Sequence, residues 1–423
     1  MEREKILADL GTIAETTLGR DLFDPIHERF TATLDHDIEG KLLKDAWEET
    51  KRIYPIIDGV LGFEHEVSAY IDRETRARYM GDHLYIIKAE EGENHPIKSK
   101  VPITPGTPAC GKRLICVTYY KNEIVISAYH TVLDGDGINK IFNTFLYLYL
   151  ALYSGHEDES PIVELTKGRD ISDYYTERLS EILYNRDYTP TPVYTFPLGC
   201  RGFLDSDMEN DENVYTATLA LDAAGFMKYC KSNGINPSAL LCAAAAKTAY
   251  DENPTKKEDV VVSLTVSLKK MLGREHDISN AVALAYGYAR YEDIKNKPIA
   301  ETAKKIRADV DSQRSCDYYI SLFRLFTTYQ NDPMFKARLV TYIGRVDIGD
   351  NTKHILDYKA ETNSSEVVYL MQVGSKFSLS VLYGRATERY LQAYRRFFEE
   401  IGIETEVFAS VHHVIKSSDT AVL

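Results

Sequence analysis

Only one of the 11 histidines is followed at the fourth position by aspartate and then glycine. It is His130, with Asp134 and Gly135, in the stretch YHTVLDGDG spanning residues 129–137. An imidazole with an ordinary pKa near 6.5 is suited to taking a proton from an alcohol or amine at neutral pH. A metal reading finds little support. DGDG lacks the remaining ligands of a calcium loop, no HExxH pair occurs elsewhere, and the adjacent His412 and His413 would point to opposite faces of a strand. No metal is expected. A nucleophile triad lacks its usual markers, since there is no GxSxG. Two readings of the residues stay open. Either His130 is a general base, with the turn amides near a developing oxyanion, or the stretch is a polar turn in which Asp134 or Asp136 caps a helix.

The flanking sequence must place this histidine. KRLICVTYY and EIVISAYH are β-rich runs separated by Lys121-Asn122, which predicts a hairpin ending at the motif. INKIFNTFLYLYLALYSG predicts a helix closed by Gly155. Upstream, FTATLDHDI (30–38) predicts a strand. In EGKLLKDAWEETKRI, Leu42, Leu43, Ala46, Trp47, Thr50 and Ile53 recur at helical spacing, and Pro55 ends the run. Closely spaced Pro190, Pro192 and Pro197 predict an extended linker. Beyond it, VYTATLAL predicts a strand and DAAGFMKYCKSNG a helix ended by Gly234. PSALLCAAAAKTAY predicts a helix with Asn236 as its cap, and VVVSLTVSL a buried strand. Further expectations are a helix near 300–314, strands at VVYLMQV and KFSLSVLYG, and a closing helix TERYLQAYRRFFEEIG.

The bulk composition bounds the rest. With 423 residues, 44% of them hydrophobic, the chain is too long for one ordinary core and too apolar for disorder. A net charge of −14 without a basic stripe argues against nucleic acid. The apolar run 141–153 is shorter than the ~20 residues that cross a bilayer, so no integral membrane segment is expected. The start MEREKILADLGTIAET carries no secretory signal pattern. Cys110, Cys116, Cys200, Cys230, Cys242 and Cys316 show no CxxC or zinc spacing, and reduced thiols in the cytoplasm are the simplest reading.

Read together, these segments resemble the chloramphenicol-acetyltransferase-like superfamily. The similarity is greatest to the branch of alcohol acetyltransferases, polyketide-associated acyltransferases and condensation domains. Its hallmark HxxxDG corresponds to His130, Asp134 and Gly135. Condensation domains usually carry a second histidine just before the first, where this chain has Tyr129. AWEETKRIYPIIDGV is similar to the family's early helix and the segment after it, with Tyr54 and Asp58 at positions usually His and Arg. INPSALLCAAAAKTAY resembles the helix of the second half, and FSLSVLYG the late strand before the final helix. VVSLTVSLKKML resembles a strand ending in arginine, with Lys269 in its place. Asn280 matches a recurrent asparagine, and TYIGRV carries Tyr342 where asparagine is usual.

The resemblance implies an α/β (α+β) fold of two lobes, each a mixed sheet with flanking helices, and an active-site tunnel between them. The expected division is residues 1–165, a linker over 166–205, and residues 206–423. It further implies an acyltransferase that moves an acyl group from a thioester to a hydroxyl or amine. The donor is acyl-CoA or an acyl group on the phosphopantetheine of a carrier protein, and no cofactor is permanently bound. His130 is then the general base acting on a small-molecule acceptor. Asp134 and Gly135 orient the loop through an arginine that the resemblance does not assign, while Asp136 is a variable loop residue. Tyr129, Asn280 and Tyr342 are expected along the tunnel. Two alternatives share the fold: a catalytically degenerate member that binds a ligand or carrier protein, and a condensation-type amide synthase.

Overall fold

The computed structural model describes residues 6–9, 26–63, 84–89, 94–130, 132–156, 187–192, 201–202, 214–252, 257–275, 277–326, 337–364, 366–384 and 388–414. The linker expected over 166–205 lies outside the described residues, except for 187–192 and 201–202.

A five-stranded sheet carries the motif. Its strand order is Ile355–Thr362, His27–Leu34, Glu123–Tyr129, Ile115–Tyr120, Ile97–Lys98. The hairpin forms as expected, with Lys121 turning the chain at φ 52°. The predicted strand over 30–38 instead runs His27–Leu34. Beyond Leu34 the chain bends, and the Asp35 amide donates to the carbonyl of His354. Its earlier start places Glu28 opposite Ala128, within two residues of the motif histidine. The strand Ile355–Thr362 alternates polar and apolar residues, with Tyr358 and Ala360 turned into the first core, and is an addition to the expected strands. It pairs with His27–Leu34 and so brings a late segment of the chain into this sheet.

Helices Gly40–Ile53 and Gly135–Ser154 pack together against this sheet. The first buries Leu43, Ala46, Trp47, Thr50 and Ile53, nearly the face that its spacing predicts. Trp47 meets Phe145 edge-on, with ring centroids 4.9 Å apart. Burying apolar side chains of this size stabilises a fold by roughly 1.5–3 kcal/mol each. Gly155, in the left-handed conformation at φ 67°, closes the second helix as its position predicts.

A larger mixed sheet follows. Its main path is Val282–Ala289, Val260–Ser267, Arg338–Val346, Val367–Val373, Lys376–Tyr383, Val214–Asp222, Thr405–Val414, and Arg201–Gly202 pairs beside Val260–Ser267. Helices Pro237–Glu252, Ile299–Ser312 and Arg389–Glu400 cover one face. Asn236 caps the first of these by accepting from the Ala239 amide at 2.8 Å. The strand Val367–Val373 shows how the halves join. Val367, Tyr369, Met371 and Val373 face the first core, while Val368 and Leu370 face the second. Period-two alternation lets one strand serve both cores. A small three-stranded sheet of Ile6–Asp9, Leu84–Lys88 and Gly59–Phe63 completes the described strands. Among the described residues, no helix is long and apolar enough to cross a membrane.

Candidate active site

His130 stands where the strand Glu123–Tyr129 ends and the chain turns toward the helix Gly135–Ser154. Its Nδ1 lies 3.1 Å from the carbonyl of Leu133, a contact in which the ring N–H donates. That contact orients the imidazole and leaves Nε2, which has no hydrogen-bond partner among the described residues, as the basic nitrogen. The side chain is about a quarter exposed, enough for a ligand to reach.

Asp134 is fully buried and does three things. It caps the helix by accepting from the Gly137 amide at 2.8 Å, as the capped-turn reading anticipates. Its second oxygen accepts from the amide of Ala281 at 3.1 Å. It also pairs with the Lys269 ammonium at 2.7 Å. Lys269 is therefore the cation that the resemblance left unassigned, a lysine where the family has arginine. Burial alone would pull its pKa down, but Asp134 and Asp136 outweigh that and hold it up.

Asp136, expected to be a variable loop residue, shares the same ammonium at 2.9 Å and accepts from Lys140 at 2.7 Å. Partial burial works against its charge, yet the two lysines keep its carboxyl below the usual range. Gly137 is equally engaged. A Cβ there would lie 1.9 Å from the carbonyl oxygen of Ile278, so only glycine lets the second-half segment approach the helix. With its amide spent on Asp134, Gly137 does not offer an N–H to an oxyanion, which removes one donor from the turn-amide reading. A Cβ at Gly135 would meet the Ile343 side chain at 3.2 Å.

The segment 268–281 thus wraps the start of the motif helix. Leu133 and Ser279 form an isolated β-bridge. The ammonium of Lys140 donates to the carbonyls of Glu275 and Asp277, at 2.8 and 3.3 Å. Asn280 donates its side-chain amide to the His130 carbonyl at 2.8 Å, and its backbone amide to the Val132 carbonyl at 3.1 Å. Its role here is to hold the motif backbone. Tyr129 is buried against the loop at Gly106. Tyr342 is not brought to His130. It packs toward the second core, edge-on to Phe377 at 6.3 Å, while its neighbour Ile343 faces the motif.

Glu28 escaped the sequence reading. Its Oε1 lies 3.8 Å from His130 Nδ1 and accepts from the Tyr369 hydroxyl at 2.8 Å. Its Oε2 has no hydrogen-bond partner among the described residues. Burial pushes this carboxyl up, more than the nearby imidazole and the Tyr369 hydrogen bond pull it down. The only sequence signal was a glutamate on the inward row of a strand, in line with Phe30 and Ala32.

No family model matches the chain, and no curated protein matches it. Solved structures do. TRI101 of F. graminearum, crystallised with coenzyme A and T-2 mycotoxin, is 11% identical with a TM-score of 0.60, over 95% of this chain and 99% of that one. Polyketide synthase associated protein 5 from Mycobacterium tuberculosis is 14% identical with a TM-score of 0.60, over 93% and 97%. TRI3 trichothecene 15-O-acetyltransferase from Fusarium sporotrichioides is 13% identical with a TM-score of 0.57, over 92% and 93%. These likenesses concern architecture. The chain shares the two-lobed α+β fold of these proteins, the fold that the resemblance implies.

Proposed function

We propose that this protein is an acyltransferase that moves an acyl group from a thioester of coenzyme A or a carrier protein to a hydroxyl or amine of a small acceptor. The observation that carries the reading is the His130 imidazole, oriented through Nδ1 by the Leu133 carbonyl, with Nε2 left as the base. In this reading Nε2 removes the acceptor's proton as its oxygen or nitrogen attacks the thioester carbonyl. The tetrahedral intermediate collapses, the carbon–sulfur bond breaks, and the imidazolium returns its proton to the departing thiolate. The products are an ester or amide and a free thiol. Neither a metal nor an acyl-enzyme is required.

Asp134 and Lys269 act as positioning residues. They fix the turn, and the turn fixes the imidazole to within hydrogen-bond reach of an acceptor. Glu28 faces the nitrogen on the far side of the ring from the reacting atoms. As an acid it leaves His130 neutral and basic; as a carboxylate it would stabilise the imidazolium that forms during attack. Of the three residues expected along the donor and acceptor path, Tyr342 packs toward the second core and Tyr129 is buried, so the reading keeps Asn280, whose side-chain amide donates to the His130 carbonyl.

Thiol release from a panel of acyl-CoA and acyl-phosphopantetheine thioesters, with alcohol and amine acceptors, tests the reading. Release above the buffer rate, dependent on an acceptor, is expected. Binding of thioesters with no release under any acceptor would instead favour a ligand- or carrier-binding role.

A further inference from the structure

At the other end of the strand His27–Leu34 stands a second cluster, outside the proposed acyl-transfer chemistry. It comprises Asp35 and His36, where that strand ends, and His354, just before its partner strand Ile355–Thr362. Glu28 and Asp35 are seven residues apart on or just beyond one extended strand, a separation of roughly 23 Å at ~3.3 Å per residue. One ligand atom from each of Asp35, His36 and His354 lies within 4.8 Å of the others. The Nδ1 of His36 is 2.6 Å from one carboxylate oxygen of Asp35, and the Nδ1 of His354 is 3.0 Å from the other.

The cluster is held from several sides. The Asp35 amide donates to the His354 carbonyl at 3.0 Å, which ties the two segments together. The Tyr153 ring stacks on His36, with centroids 3.6 Å apart and planes within 3°. The Tyr149 hydroxyl lies 3.4 Å from His36 Nε2 and accepts from the Glu39 amide at 3.1 Å. The imidazoles are mostly buried, with side chains 11% and 18% exposed, while Asp35 is 40% exposed and opens the cluster to solvent.

We propose that Asp35, His36 and His354 form a binding site for a divalent transition-metal ion of the zinc type, which clamps the end of His27–Leu34 to the start of Ile355–Thr362. Two imidazole nitrogens and one carboxylate oxygen suit zinc rather than magnesium or calcium, which take oxygen ligands. Zinc bonds of about 2.0–2.2 Å place neighbouring ligand atoms roughly 3.3–3.6 Å apart, so each imidazole nitrogen must draw away from its Asp35 oxygen by less than ~1 Å. Asp35, the most exposed of the three, has room to turn. As the ion binds at Nδ1, the single proton of each neutral imidazole moves from Nδ1 to Nε2, which on His36 points toward the Tyr149 hydroxyl. That is the outer hydrogen bond that zinc-bound imidazoles regularly make. Water fills the fourth position.

The full chain, stripped with a chelator, is titrated with zinc chloride by calorimetry and followed by thermal unfolding, with magnesium chloride as a parallel arm. His354→Gln keeps a side-chain donor for Asp35 but is a poor zinc ligand, so its fold should survive; Asp35→Asn and His36→Gln accompany it. The expected result is one zinc per wild-type chain with a rise in Tm, at least tenfold weaker binding in each variant, and no response to magnesium. The proposal is overturned if wild type binds no zinc, which would leave a hydrogen-bonded trio only, or if all three variants bind zinc as wild type does, which would place the ion at other histidines. Neither outcome depends on acyl transfer.

Discussion

The Lys269 ammonium reaches across 135 residues to lie 2.7 Å from Asp134 Oδ1, both side chains almost wholly buried. This pair ties the turn after His130 to the segment that follows the strand Val260–Ser267. A buried ion pair adds little net stability, because desolvation offsets attraction, but a half-broken one is costly.

Lys269→Met should therefore destabilise the protein by about 3–5 kcal/mol, since it strands the Asp134 charge. The double variant with Asp134→Asn should recover part of the loss. Urea unfolding of the single and double variants measures both. Equal stabilities for wild type and Lys269→Met would contradict the pairing.

Asp136 and Glu28 are shifted in opposite directions, so their contributions to stability should depend on pH in opposite ways. The Asp136 carboxyl is held below its ordinary range, so its contribution is present above that range and fades as pH falls through the depressed folded value. Asp136→Asn should flatten the acid side of the stability curve. Unfolding followed between acid and neutral pH gives the slope, and an unchanged slope would rule out the shared ammonium.

Glu28 is pushed up, so its contribution is full below the ordinary glutamate range and lost as pH rises through the raised folded value. Glu28→Gln keeps an acceptor for Tyr369 and removes the buried charge. Its stability relative to wild type should improve as pH rises from the ordinary glutamate range through the raised folded value, by the linkage of protons to folding. A constant difference across that range would mean that Glu28 ionises as freely in the folded protein as in the unfolded chain.

Gly137→Ala should be among the most damaging single-methyl additions in the chain, because the contact it invades is a backbone carbonyl rather than a movable side chain. A loss of at least 1–3 kcal/mol is expected from overpacking alone. Thermal unfolding reads it, with Gly155→Ala as a contrast: no atom lies within 4 Å there, and only the left-handed backbone resists.

What was legible in the sequence was local. Trp47 and its helical neighbours show their face through spacing, Lys121-Asn122 shows a hairpin, and Asn236 shows a cap, because each depends on residues a few positions away. The stretch YHTVLDGDG itself was conspicuous. Its surroundings were not. Lys269 differs from the arginine expected at its position, and nothing near it in sequence signals a buried carboxylate. Glu28 lies 102 positions before His130, and only the pairing of their strands brings them together. The second Asp-Gly looked dispensable because its value comes from Lys269 and the Ile278 backbone, both contributed by the other half of the chain.

The most direct measurement is kcat/KM for thioester-dependent acylation by wild type and by His130→Ala, with circular dichroism confirming that both are folded. A general base contributes about 10²–10⁴-fold, so a loss of that size with the fold intact is expected. Full turnover by the alanine variant on the same thioester and acceptor would contradict the assignment of His130 as the base.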